Sequence, residues 1–356
     1  MSDFLLPHFR ALEPYVPGEQ PTDRRYVKLN TNESPFPPAE GVLATLCEEN
    51  ARQLNLYPDP TAQELRETIA EDLGLQAENV FVGNGSDEVL GFAFLAYADE
   101  ANAVTIPDVS YGFYKVFARL FRAQPNAVPL NEDFSIPVER FCSVGEMVVL
   151  ANPNAPTGLA LSMEQLERIA ASNAGHVVLV DEAYIDFGGE SALPLLSRYS
   201  NLLIVRTFSK SRSLAGGRLG YALGNKELIL DLERIKGSFH PYSVNRLTMA
   251  AGIAAIKDHA YFEECISRIR AQRENTAEAL RAMGFQMTAS QSNFLLAGHP
   301  AFSGKEYYEK LKARGILVRY LHGAGLEKYV RITIGSEDEM KQLLQATQDI
   351  VREAGA

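Results

Sequence analysis

Cysteine is scarce in this chain and builds no framework: Cys47, Cys142 and Cys265 stand singly among 356 residues. An odd number with no C-x-x-C pair argues against a disulfide scaffold and against a zinc site, so no metal is expected and a reducing, cytoplasmic setting fits. Basic runs are missing too. Net charge is −11 and nothing exceeds the pair Arg24-Arg25, so too little positive charge is gathered to neutralise a nucleic-acid backbone. The longest apolar run, Val89 to Ala98, falls well short of the ~20 residues that a membrane-spanning helix needs. The first residues, Met1-Ser2-Asp3-Phe4-Leu5-Leu6-Pro7, lack the basic and apolar regions of a signal peptide. Nucleotide fingerprints are absent as well: the third glycine of a G-x-G-x-x-G would fall at Glu88, and no G-x-x-x-x-G-K-[ST] occurs. What remains is an ordinary globular composition, 46% hydrophobic and 22% charged, long enough for two or three domains.

The chain is arranged around Thr207-Phe208-Ser209-Lys210-Ser211-Arg212, with Gly216-Gly217-Arg218 close behind. The preceding Leu202-Leu203-Ile204-Val205 reads as a buried parallel strand. A lysine in a small-residue turn past such a strand is nearly desolvated, which lowers its pKa and suits it to attack a carbonyl and form a Schiff base. The hydroxyls of Thr207 and Ser209 and the fork of Arg218 suit a phosphate. Carbonyl and phosphate together indicate pyridoxal 5′-phosphate. Alone, Ser-Lys-Ser reads equally as a surface loop, so the rest of the chain must decide.

Residues 1–38 read as an extended N-terminal arm, because Asn30-Thr31-Asn32-Glu33-Ser34-Pro35-Phe36-Pro37-Pro38 cannot continue a helix or a central strand. After the turn Tyr57-Pro58-Asp59-Pro60, Thr61-x-x-Glu64 predicts a capping box and a helix to about Leu73. The strand Asn79–Val82 runs through Gly83-Asn84-Gly85-Ser86-Asp87-Glu88 into an apolar helix, a unit able to offer backbone N–H groups to an anion. Strands and helices then alternate through Val177-Val178-Leu179-Val180, which ends at Asp181-Glu182-Ala183-Tyr184. Such alternation predicts an α/β fold: a large domain (39–245) with a mainly parallel sheet sandwiched by helices. Two helical stretches, 226–236 and 259–283, lead into short strands and a smaller α+β domain (246–356). Ser86, Asp181 and Lys210 all fall beyond strand ends, where such sheets bind ligands. An acid at that edge wants a cation, and a pyridinium N–H is one, so Asp181 is a partner for the cofactor ring. Tyr184 offers a hydroxyl to the phenolic oxygen and Tyr111 an aromatic face.

The runs T-F-S-K-S-R-S-L-A-G-G-R-L-G-Y, V-D-E-A-Y, N-P-N-A-P-T-G, G-N-G-S-D-E and Y-P-D resemble the fold-type I pyridoxal-phosphate aminotransferases of class II, most closely the histidinol-phosphate family. The likeness is collinear from N-T-N-E-S-P in the arm to the late V-R-I-T-I-G. The resemblance implies that Lys210 holds the cofactor and shuttles a proton, that Asp181 pairs with the ring nitrogen, that Tyr184 bonds the phenolic oxygen and that Tyr111 stacks. Gly85, Ser86, Asp87, Thr207, Ser209 and Arg218 would surround the phosphate, joined by Tyr57 from the neighbouring subunit of a homodimer. Arg331 would bind the amino donor's carboxylate and Arg319 would add a second charge for a phosphate substrate, with Tyr15 and Asn32 of the arm beside them. Where the family has an asparagine before Pro-Thr-Gly this chain has Ala155, and Asn154 is assigned in its stead. The implied reaction is transamination of imidazole-acetol phosphate by glutamate. An aromatic amino acid aminotransferase and a lyase resembling threonine-phosphate decarboxylase remain open on the same scaffold. A non-catalytic regulator would need a basic helix-turn-helix extension, and none is visible.

Overall fold

Short runs of valine, isoleucine and leucine closed by turn formers give the strands their length, and burial on both faces explains why these runs do not alternate with polar residues. The computed structural model describes residues 2–323 and 325–355. Its strands are β1 (Val27–Leu29), β2 (Val80–Gly83), β3 (Val104–Pro107), β4 (Pro125–Val128), β5 (Met147–Ala151), β6 (Val178–Asp181), β7 (Leu202–Thr207), β8 (Gly220–Gly224), β9 (Gln286–Met287), β10 (Phe294–Gly298), β11 (Ile316–Tyr320) and β12 (Tyr329–Thr333).

Seven of them form one sheet in the order β2-β8-β7-β6-β5-β3-β4. Neighbours from β7 to β4 run parallel, while β8 is antiparallel to both β7 and β2. Helices cover both faces and leave separate apolar cores on each side, one around Ile69, Leu150 and Ile204, the other around Phe94, Leu179 and Leu203. The doubly covered α/β sheet read from the sequence is therefore present. A second sheet, β1-β11-β12-β10-β9, packs against the helices His259–Ala282 and Glu337–Glu353 around Phe294, Ile332 and Leu343.

Several local expectations need correcting. The helix after Pro60 starts at Gln63, and Thr61 does not cap it. Asp59 does, accepting from the backbone N–H groups of Thr61 (2.9 Å) and Gln63 (2.8 Å). The helix at 226 extends to Phe239, and a further helix, Arg246–Lys257, follows it. Its small residues carry little periodic signal, yet Ala251, Gly252 and Ala255 allow close packing on Leu65 and Leu219. The arm is extended, but it also supplies β1, parallel to β11 with Val27 opposite Ile316. That pairing spans most of the chain and leaves no trace in local composition.

Candidate active site

Parallel strands all point their carboxyl ends to one edge of the sheet, so the residues just beyond β2, β3, β5, β6 and β7 gather there. Reversal of β8 adds a further element, since its beginning lies at that same edge and brings Arg218, two residues upstream, to face the turn after β2. Ser86, Asp87, Tyr111, Asp181, Tyr184, Thr207, Ser209, Lys210 and Arg218 line one cavity of about 340 Å³. Thr31 and Glu33 of the arm close it.

Lys210 is packed into the wall of this cavity. Its Nζ donates to the backbone oxygen of Thr31 at 3.2 Å. Desolvation, reinforced by the charge of Arg331, brings its pKa down to about 8. A substantial share of neutral amine is thus present near pH 8, where a solvated lysine would have almost none. Asp181 is 4% exposed, and burial pushes its carboxyl up to about 6 despite hydrogen bonds that oppose the rise. Its Oδ2 accepts from the Tyr114 hydroxyl at 2.7 Å and its Oδ1 from the N–H of Ala183 at 3.1 Å. Neither partner carries a positive charge. A cation with an N–H facing this carboxylate would relieve the burial cost.

The other end of the cavity is an anion cradle. Gly85 adopts φ +82° ahead of the helix Ser86–Tyr97, and a Cβ there would come within 2.5 Å of Arg218 Nη2. Only glycine meets both conditions, the backbone and the space. The helix start thus lies against a guanidinium, with the hydroxyls of Thr207 and Ser209 on the same wall. Asp87 accepts from Arg218 Nη2 at 3.2 Å and from the Tyr111 hydroxyl at 2.8 Å, which holds the tyrosine ring and the guanidinium in fixed relation.

A second cavity of about 370 Å³ shares Tyr111 and Ala155 with the first and is lined by Tyr15, Lys115, Arg319, His322 and Arg331. Tyr15 stacks on Phe113 at 4.3 Å. Arg331 donates through one Nη to the Asn30 carbonyl at 3.1 Å, while its buried Nε has no partner. An unpaired buried N–H of this kind favours an acceptor brought by a ligand. Arg319 gives two N–H groups to the carbonyls of Val16 and Pro17 (2.8 and 3.0 Å), so it holds the arm as well as facing the cavity.

Three assigned residues lie elsewhere. Asn154 is fully used by its own loop and the loop after β3: Nδ2 donates to the Val109 carbonyl and to Thr157 Oγ1, and Oδ1 accepts from Ser110. It lines neither cavity. Asn32 also lines neither, lying between Tyr184 and Thr333 with both ends of its amide hydrogen-bonded. Tyr57 is 79% exposed, stacks at 4.6 Å on Tyr242 and lines neither cavity of its own chain. Sequence reading missed Tyr114. The signal was available, since it follows Tyr111 by three residues at the start of the helix Phe113–Leu120, where Phe117 and Ala118 are also buried.

Comparison with known proteins agrees with this arrangement. The family model described as aminotransferase class I and II matches residues 24–346. The chain is 49% identical to the histidinol-phosphate aminotransferase of Chromohalobacter salexigens, covering 99% of this chain and 100% of that one. It is 45% identical to the enzyme so named in Brachyspira hyodysenteriae, covering 99% and 100%. Among solved structures, the histidinol-phosphate aminotransferase of Sinorhizobium meliloti in complex with pyridoxal 5′-phosphate superposes with a TM-score of 0.90 at 25% identity, covering 99% of each chain. That of Clostridium acetobutylicum gives 0.84 at 26% identity, covering 92% and 99%.

The raised pKa of Asp181 has a consequence for stability in cofactor-free protein. A carboxyl at 3.8 unfolded and about 6 folded destabilises the folded state progressively as pH rises from 4 to 6, and by a constant amount above. Asp181→Asn removes that cost. Denaturant titration of the cofactor-free protein should find the variant more stable than wild type by on the order of 2–3 kcal/mol at pH 7.5. The gain should vanish near pH 4; an equal difference at both pH values would mean that ionisation is not its source.

Proposed function

The chain belongs to the class I and II aminotransferases, and from that premise we propose that it moves an amino group between glutamate and imidazole-acetol phosphate, yielding 2-oxoglutarate and histidinol phosphate. Its cofactor is pyridoxal 5′-phosphate. One observation carries the reading: a single cavity joins a desolvated lysine, a buried carboxylate without a cation and an anion cradle at a helix start. Each matches one end of that cofactor, so the residues present fit it. The relatives' names supply the substrate.

Bound there, pyridoxal 5′-phosphate supplies a protonated ring that draws electrons from the substrate α-carbon. The chain's own residues supply the rest. Lys210 would hold the cofactor through Nζ, and as a free neutral amine that same Nζ would carry the proton between the substrate α-carbon and the cofactor side. Its low pKa serves that task near neutral pH. Asp181 keeps the ring nitrogen protonated, and Tyr114 and the Ala183 N–H keep Asp181 in place and ionised. Tyr111 provides an aromatic wall, with its hydroxyl tied to Asp87. Ser86, Thr207, Ser209 and Arg218 hold the phosphate, with Gly85 leaving room for the guanidinium.

Arg331 receives the anionic end of each substrate, the α-carboxylate of glutamate in one half-reaction and the phosphate ester in the other. Its buried, unpaired Nε supports this role. Arg319 and Tyr15 complete that side, one adding charge and the other an aromatic wall for a planar ring. Tyr184 contacts the cofactor's phenolic oxygen, which leaves the position of Ala155 without a polar role. The division into an arm (1–38), a large unit (39–245) and a small unit (246–356) then puts the cofactor on the large unit and the substrate anion on the small one. A cytoplasmic enzyme is the corresponding cellular reading; among the described residues no helix is long and apolar enough to cross a membrane, and no cluster of metal-binding side chains occurs.

Leu46, Leu54, Leu56, Tyr57, Phe239 and Tyr242 are exposed large apolar side chains, and Tyr57 and Tyr242 stack on each other at the surface. Exposed apolar surface of that kind favours association, and the reading takes it as the face of a homodimer, with Tyr57 reaching the phosphate of the partner's site. Mixed dimers of Tyr57→Phe and Lys210→Ala chains test this. The Tyr57→Phe homodimer should bind cofactor several-fold more weakly, and the Lys210→Ala homodimer should be inactive. Hybrids should regain one intact site each, because the chain with Lys210 receives Tyr57 from its partner. Hybrids no better than the Tyr57→Phe homodimer would place Tyr57 in its own chain's site.

Substrate choice is read from kcat/KM for histidinol phosphate relative to phenylalanine. The reading predicts a ratio well above one in the wild type, a fall in both half-reactions for Arg331→Ala, and a selective loss of the phosphate substrate for Arg319→Ala. A wild-type ratio below one would make the enzyme an aromatic amino acid aminotransferase.

A further inference from the structure

Asn32 stands at an unusual junction. It is 1% exposed, adopts φ +55°, and connects the arm to both sheets. Asparagine is among the few residues apart from glycine that tolerate this backbone region. Its backbone N–H donates to Thr333 Oγ1 at 3.0 Å, and the Thr333 hydroxyl donates back to Asn32 Oδ1 at 3.0 Å. Asn32 Nδ2 donates to the Tyr184 hydroxyl oxygen at 2.9 Å. Its carbonyl accepts from Asn293 Nδ2 at 3.1 Å. Thr333 is 3% exposed and Tyr184 9%.

The order of donors in this chain is constrained. A backbone N–H can only donate, so Thr333 Oγ1 accepts from it and has its own proton free for Asn32 Oδ1. With Oδ1 turned toward Thr333, as the structure has it, Nδ2 faces Tyr184. An amide nitrogen can only donate. Tyr184 therefore receives a hydrogen bond through its oxygen, and its own proton must point elsewhere, into the cavity that it lines. We infer that Asn32 and Thr333 are positioning residues, forming a one-way hydrogen-bond relay that fixes Tyr184 as a donor to the phenolic oxygen of the cofactor.

The relay starts on β12, where Thr333 lies two residues beyond Arg331, and crosses through the arm to a tyrosine just beyond β6. The strand that carries the substrate-binding arginine thus also orients a cofactor contact. The inference rests on the aminotransferase reading above, and it replaces the assignment of Asn32 to substrate binding.

The test is spectroscopic. When Tyr184 donates to the phenolic oxygen, that oxygen is less basic, and the nitrogen that the cofactor shares with Lys210 gives up its proton at lower pH. The midpoint of the visible absorption change of the cofactor-loaded enzyme reports this. Tyr184→Phe should raise the midpoint. Thr333→Val and Asn32→Asp should each raise it by roughly 0.5–1 pH unit, the first by loosening the relay and the second by replacing the donor to Tyr184 with an acceptor. Thr333→Ser, which keeps the hydroxyl, should restore the wild-type midpoint. Thr333→Val added to Tyr184→Phe should shift it no further.

Loaded Thr333→Val and Asn32→Asp proteins with the wild-type midpoint would overturn the relay and leave the aminotransferase reading intact. So would an unshifted Asn32→Asp alone, since the reversed amide, with Tyr184 donating to Asn32, tolerates that change. If Thr333→Val does not fold, Asn32→Asp carries the test, because aspartate also tolerates the left-handed backbone. A wild-type protein with no cofactor absorption to titrate would overturn both readings at once.

Discussion

Two groups that ordinarily carry charge, Asp181 buried and Lys210 half-buried, sit at one edge of the large sheet, and most of the site's architecture answers to that. Burial lowers Lys210 to about 8 and raises Asp181 to about 6, so each is driven toward its neutral form. Both shifts have desolvation as their largest cause. Protein groups compensate in part: Tyr114 and the Ala183 N–H for the carboxylate, the Thr31 carbonyl for the amine. Asp181 has no opposite charge among these partners, while the negative charges of Glu33 and Asp87 offset only part of the burial of Lys210. The cavity is therefore built for a ligand that brings both a cationic ring nitrogen and a carbonyl, and the strain between burial and ionisation is what its binding relieves.

The arm makes this desolvation possible. Val27–Leu29 joins the smaller sheet, and the next residues cross to the large one, where Thr31 and Glu33 close the cavity and Asn32 is gripped from both sides. Earlier in the arm, Tyr15 packs on Phe113, and Arg319 binds the carbonyls of Val16 and Pro17. A segment with almost no regular structure thus forms the wall between two cavities. Its proline and polar composition, which argues against a helix, gives it the extended course that such a wall needs.

Much of this was legible because the signals are local. Strands such as Leu202-Leu203-Ile204-Val205 announce themselves by composition, and Lys210, Asp181 and Ser86 follow them directly in sequence. Contacts made through distant chain were not legible. Strand β8 begins with glycine and looks like a loop, yet its reversal aligns Arg218 with Gly85. Asn154 lies beside the family's usual position, but Val109 and Ser110, from the loop after β3, claim its amide. Asn32 belonged to a recognisable motif, whereas its partner Thr333 lies 301 residues away. Tyr114 shows the opposite error, a residue whose helical spacing from Tyr111 was readable and was passed over.

The central claim is that the paired lysine and carboxylate form a transaminating site rather than a lyase or an inert fold. Mixing the cofactor-loaded protein with glutamate and no acceptor, while following the visible spectrum and the products, addresses it directly. The account predicts that the yellow absorption gives way to that of the aminated cofactor, with 2-oxoglutarate released one for one with active sites and no carbon dioxide. An unchanged spectrum, or carbon dioxide in place of 2-oxoglutarate, would contradict it.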